Sequence, residues 1–131
     1  MSFAHLTLPT RDVERTAALL ADVFGYSRLP IPGNTPVEAQ WLEIGGGQQL
    51  HVLHVPDFTI SAFEGEFGRH VALLHPRADF DAMKARLAAY GIAPYAAERP
   101  TPFERFFFRE PVNGYVFEVI DAARASMPAE R

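Results

Sequence analysis

The chain has 131 residues, of which 48% are hydrophobic and 21% charged, and its formal net charge is −4. This length suits one domain with a hydrophobic core and is too short for two independent domains. The acidic balance gives no electrostatic footprint for nucleic acid or an anionic membrane, and the lack of cysteine excludes disulfides, thiolate nucleophiles and cysteine-ligated zinc. No basic leader and no run of about 18 apolar residues occurs, so we expect a cytoplasmic protein that binds neither nucleic acid nor membranes.

The first half of the chain predicts a β-α-β-β-β order. Apolar residues recur at helical spacing after Asp12, and Gly25 supplies a natural helix end. Alternating apolar and polar residues mark the strands, and three glycines at 45–47 form a hairpin signal between the last two. The predicted elements are a strand at 3–8, a helix at about 12–24, a short strand at 26–31, and strands at 39–44 and 48–55.

The second half repeats this order after a connection at 56–68 that has no clear period. The connection contains Phe58, Phe63 and Phe67, which we expect to pack between modules or across a dimer rather than to form a lid. A helix that ends at Gly91 follows the first strand of this half. The predicted elements are a strand at 69–75, a helix at about 79–90, a weaker strand at 95–98, and strands at 104–109 and 114–121.

These elements predict an α+β fold in a single domain over residues 1–131. The domain consists of two βαβββ modules, at about 3–55 and 69–121. The remaining residues, 122–131, form a small polar tail that we expect to fray.

Two histidines, His51 and His54, lie three residues apart in the predicted strand at 48–55. Strand side chains alternate between the two faces, so these two point in opposite directions and only one of them can serve a given centre. In the neighbouring strand, Trp41 and Glu43 share a face and could line a pocket or have no catalytic part.

Overlaying the two halves selects one histidine of this pair. His5 and His70 open the two halves 65 residues apart, and the last strands of the halves superpose best at an offset of 67. That offset matches His51 with Glu118, which places a metal-ligand residue type on the first and last strand of each half. Three imidazoles and one carboxylate suit divalent Zn, Ni, Fe, Co or Mn, and suit Mg or Ca poorly.

The chain resembles the vicinal oxygen chelate superfamily, which includes glyoxalase I, methylmalonyl-CoA epimerase, extradiol dioxygenases, and fosfomycin- and bleomycin-resistance proteins. The resemblance spans about residues 3–121 and lies in AHLTLPTRDVERTAALLADVFGY, RHVALLH and RFFFREPVNGYVFEVID. The last stretch is similar to the family's aromatic strand, turn and final strand with a metal-binding Glu. Two positions differ: Glu110 replaces the usual turn aspartate, and His51 stands where the glyoxalase I branch often has Glu.

The resemblance implies that two βαβββ modules form a half-open barrel around a metal ion, with ligands from the first and last strand of each module. Those positions are His5, His51, His70 and Glu118. If the ion is octahedral, four protein ligands leave two adjacent positions for a substrate with neighbouring oxygens. Glu118 is the candidate catalytic residue, because it or an ion-bound water could move a proton. The resemblance also implies a homodimer.

The function that we expect is that of a divalent-metal-dependent lyase or isomerase of the glyoxalase type, acting on a small oxygenated molecule. One alternative is a non-catalytic small-molecule or antibiotic-binding protein of the bleomycin-resistance type, for which four aligned ligand residues would be unnecessary. A further alternative is an extradiol dioxygenase with Fe(II), which uses two His and one carboxylate and would leave one histidine off the metal. No organic cofactor is expected.

Other polar and aromatic residues have plainer interpretations. We expect His54 and His75 to be surface or supporting residues. Arg105 and Arg109 flank the last turn and are expected to be solvated, although such a pair could clamp a substrate carboxylate. The phenylalanines at 106–108 are expected to pack in the core and sheet.

Overall fold

The computed structural model describes residues 2–130. The chain divides into two compact units, one ending at Thr59 and the other beginning at Ile60, and this division lies inside the predicted connection at 56–68. Within the described residues, no helix has the length and apolar character that crossing a membrane requires.

The first unit contains one helix and a four-stranded sheet. Its sheet has the order β1-β4-β3-β2, in which β1 and β4 are parallel and the other neighbours antiparallel. The first strand runs two residues further than predicted, to Thr10, because Pro9 is tolerated in a strand at the sheet edge. The elements are β1 (His5–Thr10), α1 (Val13–Phe24), β2 (Ser27–Leu29), β3 (Ala39–Gly45) and β4 (Gln48–His54).

Helix α1 covers one face of this sheet and leaves the other face to the candidate site. The helix starts where the Asp12 side chain accepts a hydrogen bond from the Arg15 N–H, and it ends at Gly25, whose φ of 79° is left-handed. In β4, Leu50 and Val52 are buried in the core, whereas His51 between them points to the opposite face. Strand alternation thus determines which residues face away from the helix.

The second unit has the same order with one strand fewer. Its sheet has the order β5-β7-β6, with β5 and β7 parallel and β6 and β7 antiparallel. The phenylalanines of β6 are buried, as predicted. The elements are β5 (Val71–His75), a 3-10 helix (Arg77–Asp79), α2 (Phe80–Ala89), β6 (Arg105–Arg109), β7 (Val116–Asp121) and a 3-10 helix (Ala122–Ser126), so the first part of the tail is ordered into a turn of helix.

The weaker strand predicted at 95–98 is wrong. Only Tyr95 pairs with β6, through an isolated bridge to Phe107 whose two N–H···O distances are 2.8 and 2.9 Å. Beyond this bridge, the N–H groups of Glu98 and Arg99 bond the Glu66 carboxylate at 2.8 and 3.1 Å. A distant side chain, and not β6, therefore binds the far end of this segment.

The sheet registers reproduce the offsets found in the sequence. In the first unit His51 lies opposite Thr7 on β1 and opposite Trp41 on β3. In the second unit Glu118 lies opposite Ala72 on β5 and opposite Phe107 on β6. Ala72 is 65 residues beyond Thr7, as His70 is beyond His5, and Glu118 is 67 beyond His51. The α+β fold of two repeated modules is confirmed.

Candidate metal centre

In the first unit, the two predicted ligands lie in contact. His5 is exposed at the start of β1, and its ring stacks on that of His51 with centroids 3.9 Å apart and planes 13° apart. The Trp41 indole also stacks on His51, at 3.9 Å and 3°. Because β4 lies between β1 and β3, His51 is held between the two other rings, which fixes the plane of its imidazole.

A hydrogen bond and partial burial determine the tautomer and the protonation of His51. Its Nε2 lies 2.7 Å from the side-chain amide oxygen (Oε1) of Gln49, two residues away on the same face of β4. Since an amide oxygen accepts, Nε2 donates and Nδ1 keeps its lone pair. Burial, and then the proximity of His5, lower the pKa of His51 below its ordinary value. A neutral imidazole is the form that binds metal ions.

In the second unit, His70 and Glu118 face each other. His70 lies just before β5, and its Nε2 is 3.0 Å from Oε1 of Glu118, while its Nδ1 is 3.0 Å from the Gly65 carbonyl oxygen. Nδ1 therefore donates to Gly65, which leaves the Nε2 lone pair directed at a carboxylate oxygen. Two acceptors at this distance need a cation between them, either a proton or a metal ion.

The carboxylate of Glu118 has another partner that sequence reasoning missed. The side chain of Arg105, expected to be solvated, is 5% exposed, and its NH1 donates to Oε2 of Glu118 at 2.9 Å. Arg105 lies on the same face of β6 as Phe107, which is opposite Glu118, so strand parity carries the signal that could have found it. Arg109, by contrast, donates to the backbone carbonyl oxygens of Gly114 at 2.6 Å and Glu64 at 3.4 Å.

The remaining histidines lie outside these pairs. His54 points to the other face of β4 from His51, as strand alternation predicts. His75 is buried rather than at the surface, because its Nε2 bonds Asp79 at 2.7 Å across the start of α2. Neither contributes to a ligand pair.

The predicted four-residue set stays a prediction. Within residues 2–130, no three His, Asp or Glu side chains are grouped so that they could hold a metal ion together. What the structure brings together is one pair in each unit, His5 with His51 and His70 with Glu118.

The departure at Glu110 has a structural explanation. Its carboxylate is fully buried in the turn between β6 and β7 and accepts backbone hydrogen bonds from Val112 at 2.8 Å, Asn113 at 2.9 Å and Tyr115 at 3.3 Å. Gly114, with φ of 96°, completes the turn. A glutamate can thus cap this turn and align β7, which contains Glu118.

No protein-family profile and no curated protein sequence matches the chain. Solved structures do match. The fosfomycin resistance protein FosX from Listeria monocytogenes, in its monoclinic form at pH 6.5, is 20% identical with a TM-score of 0.70, over 92% of this chain and 91% of that chain. FosX from Mesorhizobium loti is 22% identical with a TM-score of 0.66, over 92% and 91%. The oxidase ChaP-H2 is 24% identical with a TM-score of 0.70, over 92% and 93%.

These structures share the architecture predicted from the sequence. The matches cover nearly the whole of each chain at identities of 20 to 24%, which is evidence of a common fold. The chain therefore has the fold of the vicinal oxygen chelate superfamily.

Proposed function

We propose that this chain is a divalent-metal-dependent enzyme whose ligands are His5, His51, His70 and Glu118. Its substrate is a small molecule that chelates the ion through two neighbouring oxygens, and lyase or isomerase chemistry of the glyoxalase type is the first choice. The observation that carries the proposal is the approach of His70 Nε2 to Glu118 Oε1, 3.0 Å apart, while Nδ1 of His70 donates to Gly65. These two atoms lie close enough together that both could bind one ion.

The donor atoms fit an ion of the Zn, Ni, Fe, Co or Mn group. Imidazole nitrogens and a carboxylate oxygen are the ligands such ions accept. In two of the three proposed histidine ligands one ring nitrogen donates to an oxygen, the side-chain amide oxygen of Gln49 for His51 and the backbone carbonyl oxygen of Gly65 for His70. This arrangement orients the ring so that the other nitrogen could bind metal. When bound, a divalent ion polarises the oxygens of its ligand and stabilises negative charge that develops on them.

The chain's own residues would position the substrate and move a proton. Glu118 would take or return the proton through Oε1 when this oxygen is not bound to the ion, because its other oxygen is held by Arg105. The Trp41 Nε1 is buried and has no hydrogen-bond partner among the described residues. This indole N–H is therefore a donor available to an oxygen of a bound molecule beside His51.

The solved relatives supply test substrates. A mutant of FosX from Listeria monocytogenes was solved with Mn(II) and 1S,2S-dihydroxypropylphosphonic acid, and FosX from the same organism was also solved with Mn(II) and sulfate. We therefore propose fosfomycin as the first substrate to test, followed by the hemithioacetal of methylglyoxal and glutathione. Because ChaP-H2 is an oxidase, an extradiol dioxygenase activity with Fe(II) and oxygen is assayed with a catechol as the third candidate.

A binding protein without catalysis is the second candidate function. The contact that favours it is the pairing of Glu118 with Arg105 at 2.9 Å, since protein groups alone can then balance the charge of this carboxylate. Under this proposal His70 and Glu118 form an ion pair bridged by a proton, and the ligand binds without metal. We also propose a homodimer, which light scattering after size-exclusion chromatography would test.

Metal binding is the decisive measurement. The purified protein is stripped with chelator, reconstituted with each ion, and its metal content and affinity are measured by mass spectrometry and calorimetry. We expect about one ion per chain, and a loss of affinity of about 100-fold or more in His5→Ala and Glu118→Ala. His54→Ala is the matched control, because it removes an imidazole from the opposite face of the strand that contains His51. A wild type that stays metal-free after reconstitution contradicts the enzyme proposal and favours the binding protein.

A further inference from the structure

We infer that Arg105 is a positioning residue that holds Oε2 of Glu118, so that this carboxylate presents one oxygen, Oε1, to His70 and to a bound ion. The inference rests on the proposed function for the ion, but the hold on Glu118 is a property of the metal-free chain. The inference is based on the different partners of the two carboxylate oxygens. Oε2 accepts a hydrogen bond from Arg105 at 2.9 Å, and Oε1 lies 3.0 Å from Nε2 of His70.

Arg105 is itself fixed in place by other contacts. Its NH2 donates to Oε2 of Glu66 at 3.3 Å and to the backbone carbonyl oxygen of Arg99. Its Cζ lies 5.6 Å from the centroid of the Phe107 ring, which lies opposite Glu118 across the sheet. A guanidinium with partners on both terminal nitrogens and an aromatic ring beside it has little freedom to leave Glu118.

Glu66 is also held in place from its other side. Backbone N–H groups of Glu98 and Arg99 donate to its carboxylate, at 2.8 and 3.1 Å. Burial acts to raise the pKa of Glu66, but these two N–H groups and the Arg105 guanidinium outweigh it and lower the pKa below its ordinary value. The side chain of Glu66 is only 10% exposed. Arg105 therefore lies between the carboxylates of Glu66 and Glu118.

The burial of the pair makes a solvated alternative unfavourable. The side chains of Arg105 and Glu118 are 5% and 7% exposed. Separating two buried charges leaves each without its partner, which costs far more than breaking a surface ion pair. Arg105 is thus expected to stay on Oε2 when an ion binds, and Glu118 then bonds the ion through one oxygen only.

A double-mutant cycle tests the hold on Glu118 without any metal. The unfolding equilibrium constants of wild type, Arg105→Met, Glu118→Gln and the double variant are measured by urea denaturation with chelator present. We expect the unfolding constant of the double variant to differ by about fivefold or more from the value that the two single variants predict if their effects are independent. Arg109→Met is the matched control, because Arg109 lies on the same face of β6 and bonds only backbone carbonyls; with Glu118→Gln its effects should add within about twofold.

A second arm uses Mn(II) alone as the probe. Without the guanidinium, Glu118 can turn both oxygens to the ion and no positive charge opposes binding. We expect Arg105→Met to bind Mn(II) about tenfold more tightly than wild type, with one exchangeable water fewer on the ion by water-proton relaxation. Arg109→Met should match wild type in both. A merely structural role for Arg105 predicts the opposite, weaker binding.

Each outcome decides between the proposals. Absence of coupling in the metal-free cycle, or weaker Mn(II) binding by Arg105→Met, overturns the positioning role. A wild type that shows the coupling but binds no Mn(II) supports the positioning role and refutes the proposed metal enzyme. If Arg105→Met does not fold, Arg105→Lys replaces it: the ammonium keeps the charge but cannot span Glu118 and Glu66, so the coupling should fall while the fold persists.

Discussion

The turn between β6 and β7 depends on one buried carboxylate, and replacing it is the sharpest stability test that the chain offers. We predict that Glu110→Ala destabilises the protein by about 3–5 kcal/mol. The carboxylate accepts three backbone hydrogen bonds, at 2.8 Å from Val112, 2.9 Å from Asn113 and 3.3 Å from Tyr115.

The magnitude follows from what the lost carboxylate leaves behind. The hydrogen bonds from the N–H groups of Asn113 and Tyr115 are buried, so in the variant these two donors cannot bond to water unless the backbone moves. An unsatisfied buried donor costs about 1–3 kcal/mol, and two of them account for most of the predicted loss. The N–H of Val112 is part-buried and can reach water at smaller cost. Glu110→Gln keeps one acceptor oxygen and the side-chain shape, so we expect about half the loss.

Urea unfolding with linear extrapolation measures the effect. Glu104→Ala is the control, because this glutamate stands just before the other end of β6, is 62% exposed, and pairs only with Arg77 at the surface. Its loss should cost less than about 1 kcal/mol. If the free energy of unfolding of Glu110→Ala lies within about 1 kcal/mol of the wild-type value, the three hydrogen bonds do not stabilise the turn and the reasoning is wrong.

Three further predictions concern the helices and the site. A hydrogen bond from Arg86, and then one from His75, lower the pKa of Asp79 from 3.8 to about 2. This carboxylate therefore contributes stability above pH 3.8 that is lost as the pH falls towards 2. Because its side chain is over a third exposed, Asp79→Asn should lower the free energy of unfolding by only about 1 kcal/mol at pH 7. The urea midpoints of the variant and the wild type, measured against pH, should converge near pH 2. Trp41 is the only tryptophan and stacks on His51, so its fluorescence should fall on addition of Ni(II), should not respond in His51→Ala, and should respond normally in His54→Ala. Gly25→Ala should cost about 1 kcal/mol in urea unfolding, because φ is 79° there although no atom lies within 4 Å of an added Cβ.

Local patterns in the sequence predicted most of the secondary structure. Helical spacing and the glycines that end each helix located both helices, and alternation located the strands that form the two sheets. The strand predicted at 95–98 is reduced to a bridge at Tyr95, and the N–H of Glu98 at its far end bonds Glu66, more than thirty residues earlier in the chain. No local pattern reports such a contact, since the partner is specified only once the chain has folded.

Strand parity also decided which histidine of the pair at 51 and 54 faces the candidate site. Alternation separated the two, the repeat offset matched His51 with Glu118, and the structure places His51 against His5 and Trp41. Parity applied to β6 would have placed Arg105 beside Glu118 in the same way. It did not, because a long charged side chain near a turn is usually solvated, and only the register with β7 shows that this one is enclosed.

His51 on β4 and Glu118 on β7 have different surroundings, and this difference affects which substrate charge the proposed site favours. His51 lies between two aromatic rings, whereas Glu118 lies between an imidazole and a guanidinium. The proposed ligand set of three imidazoles and one carboxylate carries a negative charge that Arg105, which also pairs with Glu66, offsets only in part. A divalent ion held by this set would keep a net positive charge, so anionic oxygens should bind there more tightly than neutral ones. Removal of the guanidinium would lower that charge by one, and Arg105→Met should therefore weaken the preference for anionic ligands even as it tightens the hold on the ion.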